Sequence, residues 1–299
     1  MTDMINMSRL ANGVRSAGLM RRAAAEALFI ARHRSAFGQM LIEMPLMRRQ
    51  LSKMLLTSEQ GRSIVFHTAR VLDAADRGDA AMALVLRILT PLIRFRICRD
   101  ARKVTGDAME VRGGCGYIEE FSDARLLRDS HLGSIWEGTS NIVALDVLRG
   151  ARRDGALEAL DGYLRALPGQ SPEIIPARDR AVALVSWVSD RGEPEARRAA
   201  SALYHATSAA FLTWEADRLK AVDPVQAQVR ARLSRMVLAH RLAARDPLAS
   251  PEAEPEWLPG GWPAPGETPM RRRARRRHER RGGVADRLAA FNDRAGRSR

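Results

Sequence analysis

The residues best suited to chemistry lie in SIWEGTSNIVALDVLR, residues 134–149. Glu137 stands between Trp136 and Gly138, and two hydroxyl residues follow, Thr139 and Ser140. Ile142, Leu145 and Leu148 then recur at helical spacing. Thr139 or Ser140 reads as the N-cap, because a hydroxyl there accepts a bond from an orphan backbone N–H. Glu137 therefore sits on the turn that enters a helix. A carboxylate in that place is a general base if an apolar neighbour such as Trp136 tunes it by desolvation. Otherwise it is an acid near the positive end of a helix dipole, worth about 0.3–1 kcal/mol. This stretch alone does not choose between them.

The other reactive residue types are less organised. The six histidines (33, 67, 131, 205, 240, 278) show no metal-ligand spacing. Cys98 and Cys115 give neither a disulfide framework nor a metal motif. RGGCGYIEEFSD (112–123) has three glycines in four positions, suited to positive φ or close backbone approach. No strand pattern precedes it, so it is not a dinucleotide-binding fingerprint of the Rossmann kind. Met40, Met44, Met47 and Met54 read as core packing, and Arg125, Arg128 and Asp129 as a surface ion network.

These residues must be held by helices. Residues 9–33 carry an apolar stripe at three-or-four spacing, and 33–45 reads as a loop punctuated by Gly38 and Pro45. A second helix starts near Pro45. A third runs over 81–111, with Pro91 expected to kink or split it. A short helix over 123–129 and one over 140–152 complete the first part. Further helices are expected over 174–189, 193–220 and 224–245. The fold class is all-α, an up-down four-helix bundle with extra C-terminal helices. The domains are 1–152 (bundle), 153–245 (additional helices) and 246–299 (Pro/Gly linker and disordered basic tail).

The formal charge is +14. Residues 271–299 hold twelve Arg against three acids, a net +9. Arg271, Arg272, Arg273, Arg275, Arg276 and Arg277 could neutralise phosphates, which makes DNA or RNA a possible partner of the tail. No signal-peptide core or bilayer-length apolar run is present, which points to a cytoplasmic protein without a membrane partner.

RSAFGQMLIEMPLMRRQL (34–51), AMEVRGGCGYIEE (108–120), RLLRD (125–129) and IWEGTSNI (135–142) resemble, in that order, the C-terminal helical domain of the FAD-dependent acyl-CoA dehydrogenases. The AidB-like branch is the most similar in tone. The resemblance is strong over 1–150, weaker over 151–245, and stops before the tail. It implies FAD as cofactor, an acyl-CoA-like thioester as substrate, and α,β-dehydrogenation with Glu137 as the base. It implies that Thr139 and Asn141 touch the flavin. It places Arg34 and Phe37 against the FAD of a neighbouring subunit in a homo-oligomer, with Gly113 and Gly114 packed along that dinucleotide. Arg9 falls where members keep an Arg near the acyl thioester. Two positions depart from the pattern: Ala36 where a polar residue is usual, and Glu110 where Gln is usual.

The sequence begins at the first helix of the family's third domain. The expectation is an active site completed by a second copy or by a partner chain carrying the earlier helical and β domains. The alternatives are a non-catalytic nucleic-acid-binding relative or a truncated gene product.

Overall fold

The computed structural model describes residues 2–153, 155–244 and 248. Three long helices build its centre: α1 (Thr2–His33), α2 (Pro45–Asp76) and α3 (Ala80–Arg112). Each packs against the other two. α1 buries Ala17, Ala23, Ala24, Ala27 and Ala31, side chains short enough to let α3 lie close. Gly13 of α1 is another close approach, since a Cβ there would come within 3.1 Å of Ile93 Cδ1. The larger residues, Met20, Met54, Leu56, Ile88, Leu92 and Ile93, fill what remains. Burying one such side chain contributes about 1.5–3 kcal/mol.

Local sequence accounts for the ends of these helices. Pro45 occupies the first turn of α2, where its missing N–H costs nothing. The Asp79 carboxylate caps α3 by accepting from the N–H groups of Ala81 (3.0 Å) and Met82 (3.1 Å). α3 is continuous through Pro91, so the split expected as one outcome there does not occur. Pro91 is buried between the neighbouring helices, and Thr90 beside it donates to the Leu86 carbonyl at 3.1 Å. Tertiary packing outweighs the local penalty there.

Two expectations need correction. The segment over 33–45 is not wholly loop. Strands β1 (Ser35–Ala36) and β2 (Gln39–Met40) pair antiparallel, with Phe37 and Gly38 as the two-residue turn. The stretch after residue 153, given no element above, contains α7 (Ala156–Ala166), which buries Leu157, Leu160 and Leu164. The glycine segment holds the short α4 (Gly114–Tyr117), followed by α5 (Ser122–Leu132) and α6 (Ser140–Arg153). Beyond α7 come α8 (Ile174–Arg191), α9 (Ala196–Leu219) and α10 (Pro224–Val237), the last running into a π-helical turn over Leu238–Leu242.

α9 lies on α2, α3 and α6, and buried polar groups join it to α2. Arg230 of α10 bridges Glu59 of α2 (2.7 Å) and Glu215 of α9 (3.3 Å). The Ser63 hydroxyl donates to Glu215 at 2.5 Å. His67 stacks on Phe211 with ring centroids 4.0 Å apart. Gln60 Nε2 lies 3.2 Å from His205 Nδ1 and 2.8 Å from the Ser208 hydroxyl.

Burial holds the His205 pKa well below its ordinary 6.5, and the Arg96 and Arg241 charges add to that. Below pH 6.5 the unfolded chain binds a proton at this imidazole that the folded chain refuses. Stability from this group is therefore present above pH 6.5 and is lost as the pH falls. The expected loss approaches about 1.4 kcal/mol per pH unit. Urea midpoints measured between pH 7.5 and 5 should fall by this route, and His205→Asn should flatten the dependence. An equal slope in the variant would assign the effect to other groups.

No described helix is long and apolar enough to cross a membrane. The Pro/Gly-rich segment 246–270 (apart from Leu248) and Arg271, Arg272, Arg273, Arg275, Arg276 and Arg277 lie outside the described residues.

Candidate active site

Glu137 is carried on the turn between α5 and α6. The Leu132 carbonyl accepts from the N–H groups of Ile135 (3.1 Å) and Trp136 (3.0 Å), which closes the end of α5. The chain then reverses with φ of 52° at Glu137 and 103° at Gly138. α6 begins with Val143 N–H donating to the Thr139 carbonyl at 3.1 Å, so Thr139 takes the capping place through its main chain. A left-handed backbone suits Gly138 and strains Glu137, whose Cβ crowds the following carbonyl. Among the described residues, only Phe37 and Glu137 have positive φ without being glycine.

Three elements converge on this turn. The Ser8 hydroxyl of α1 donates to the Glu137 carboxylate. Arg9, the next residue, pairs with Asp146 of α6 at 2.5 Å, and Arg87 of α3 reaches the same carboxylate at 3.1 Å. Arg94 of α3 donates through Nη2 to the Trp136 carbonyl. Arg94 is only 2% exposed. Burial pushes its pKa down, Cys98 and Glu137 oppose that, and the Arg9 and Arg15 charges reinforce it.

The outward face of the turn is open. Glu137, Thr139 and Asn141 are exposed, as are Ile135, Trp136 and Ile142. Trp136 is 56% exposed and so forms no closed apolar wall over the acid within this chain. What the structure presents is a carboxylate and a hydroxyl set in an accessible apolar rim.

The second group of expected residues sits elsewhere. The β1–β2 hairpin projects Phe37 at its tip, 97% exposed. At its base Arg34 Nη1 donates to the Arg112 carbonyl at 2.8 Å, which lays the guanidinium over Gly113. Gly113 has φ of 77°, and a Cβ there would come within 2.8 Å of that Nη1. A Cβ at Gly114 would meet nothing within 4 Å. A guanidinium beside bare main chain suits an anionic ligand that approaches the backbone closely.

From Arg94 to Gly113 is nineteen residues of α3, roughly 28 Å of helix. The structure therefore joins Glu137 with Arg9, Thr139 and Asn141 beside the middle of α3. It joins Arg34, Phe37, Gly113 and Gly114 at the C-terminal end of α3, and does not bring the two groups together. Sequence reading passed over Ser8, Arg94 and Asp146. The one available signal was Arg94, a charge inside the apolar run ILTPLIRFRIC. No described group of three or more His, Cys, Asp or Glu could hold a metal ion.

The chain's relatives fit this geometry. The profile of the acyl-CoA dehydrogenase C-terminal domain matches residues 1–151. AidB of Escherichia coli is 44% identical over 146 residues, covering 49% of this chain and 27% of that protein. Acyl-CoA dehydrogenase family member 11 of Caenorhabditis elegans is 35% identical over 150 residues, 50% of this chain and 24% of that protein. The chain thus spans about a quarter of the length of these relatives. The structure of the C. elegans protein ACDH-11, in complex with C11-CoA, superposes with a TM-score of 0.69 at 27% identity. That likeness covers 78% of this chain and 43% of that one, so it reaches past residue 151 into the later helices. The helical fold, the order of the motifs and the match over residues 1–151 place this chain in the acyl-CoA dehydrogenase family, of which it carries the C-terminal helical domain.

Proposed function

We propose that this chain supplies the base-bearing part of an FAD-dependent dehydrogenase acting on an acyl-CoA-like thioester, with Glu137 as the base. The observation that carries the reading is backbone strain. Among the described residues, the two non-glycine residues with positive φ, Glu137 and Phe37, are the expected base and the ring expected against the FAD of a neighbouring subunit. Such strain costs of order 1–3 kcal/mol and gathers at functional sites. A two-residue hairpin turn is ordinarily filled by Asn-Gly or Gly-Gly. The phenyl ring at Phe37 gains nothing from its own fold, since it stands in solvent.

In this reading Glu137 takes the α-proton of the thioester. Thr139 and Asn141, at the entry of α6, orient the flavin beside it, and Arg9 lines the acyl end. Arg34, Phe37, Gly113 and Gly114 cradle the dinucleotide of a neighbouring copy. The flavin supplies the hydride acceptor when bound. The middle and the C-terminal end of α3 then serve two different dinucleotides, which favours a homo-oligomer. The exposed Glu137 face further favours closure of the acyl pocket by protein beyond the described helices.

The direct test is flavin retention. Protein purified in the presence of FAD should keep flavin absorbance after gel filtration. Gly113→Ala should weaken retention at least tenfold, because its Cβ would strain φ and displace the Arg34 guanidinium. An oligomer that holds no flavin, or a Gly113→Ala variant that holds it as well as the parent, would count against this function.

A further inference from the structure

We propose that Arg94 is the positioning residue of the Glu137 turn: its buried guanidinium holds the Trp136 carbonyl and so fixes the left-handed backbone that aims the Glu137 carboxylate. The proposal rests on the reading of Glu137 as the base. Its physical ground is independent of that reading.

Arg94 is among the largest fully buried side chains in the protein. It makes no salt bridge among the described residues, and its Nε is buried without a partner. A guanidinium removed from water is costly unless charge or hydrogen bonds compensate. Here the compensation is the Trp136 carbonyl and the nearby field of Glu137. A stability role alone would be better met by an apolar residue of similar length.

The placement is specific. Thr90, Arg94 and Cys98 lie one turn apart along α3. The Thr90 hydroxyl, shared with the Leu86 carbonyl, lies 3.0 Å from the Asn6 side-chain oxygen of α1. Cys98 accepts from Ser16 at 3.3 Å, and Gly133 packs so closely there that a Cβ would stand 3.2 Å from the Cys98 sulfur. The turn is thus seated on α3 at its start by Gly133 and at its end by Arg94. Arg94 makes the one side-chain hydrogen bond to the main chain of residues 135–138 among the described residues. A strained φ persists only where surroundings over-determine it. At Glu137 that surrounding includes the Ser8 hydrogen bond to its side chain, and on the main chain it is the Arg94 contact with the preceding carbonyl.

The test compares the full chain carrying Arg94→Met, Arg94→Lys and Glu137→Gln by amide hydrogen exchange. Arg94→Met should raise exchange over 134–139 at least tenfold while leaving α8–α10 within twofold of the parent. Arg94→Lys keeps the charge and one donor, and should recover protection to within threefold. Glu137→Gln should leave the exchange of the turn unchanged. In flavin-loaded protein turning over an acyl-CoA, Arg94→Met should lower kcat at least tenfold with KM within threefold, and Arg94→Lys should recover most of the loss. If Arg94→Met does not fold, Arg94→Gln takes its place with the same expectations. Parent-like exchange in the turn, a rise spread evenly over all helices, or an unchanged kcat would overturn the proposal. Turnover retained in Glu137→Gln would remove the base reading and leave the exchange result standing.

Discussion

Glu137→Gln is expected to slow removal of the α-proton from an acyl thioester by about 10²–10⁴-fold, the usual contribution of a positioned general base. Flavin binding should survive. The substitution keeps the size of the side chain and an oxygen that can still accept from Ser8. It removes only the ability to take a proton. The substitution leaves the Arg94 hydrogen bond to the Trp136 carbonyl in place, so the turn should keep its backbone. The cleanest readout is exchange of the α-protons of an acyl-CoA with deuterated solvent, which reports proton removal without requiring hydride transfer. Exchange at the parental rate would take Glu137 out of the mechanism.

Arg230→Met should be the most destabilising single change in the described helices. Arg230 is 8% exposed and ties Glu59 of α2 to Glu215 of α9. Burial pushes the Glu59 carboxyl pKa up, and Arg62 pulls it down in part. With Arg230 gone, Glu59 keeps the half-exposed Arg62 as its ion-pair partner, with the Arg21 charge nearby. Breaking one side of a buried ion pair costs about 3–5 kcal/mol, whereas replacing both partners by apolar groups is often nearly neutral. At this chain length that corresponds to roughly 10 °C in Tm. The double variant Glu59→Met with Arg230→Met should recover most of the loss, and differential scanning calorimetry of the three variants would show it. A double variant as unstable as the sum of the singles would mean that the pair contributes through its separate surroundings.

Much of the fold is legible in the sequence because helix signals are local. The Ala-rich stripe of α1, Pro45 at the start of α2 and the apolar spacing of α6 all lie within a few residues of what they determine. α7 is hard to read in the sequence although Leu157, Leu160 and Leu164 have helical spacing. The segment is short, and Gly162 and the nearby Pro168 obscure the pattern. The hairpin at Phe37 was overlooked because two-residue strands leave no alternation to read. Pro91 does not interrupt α3: its penalty is local, and the packing around it comes from other helices.

By itself the sequence determined an all-helical chain, the family it belongs to, and an acid on the turn before α6. Only the tertiary structure decided what surrounds that acid. Arg94 meets Trp136 across 42 residues and Ser8 meets Glu137 across 129. It also decided that Arg34 and Gly113 share the C-terminal end of α3 while the Glu137 turn is held against its middle. The physical reason is range. Periodicity, capping and turn chemistry act within one or two turns of chain, whereas a buried guanidinium finds its carbonyl only once separate helices have packed.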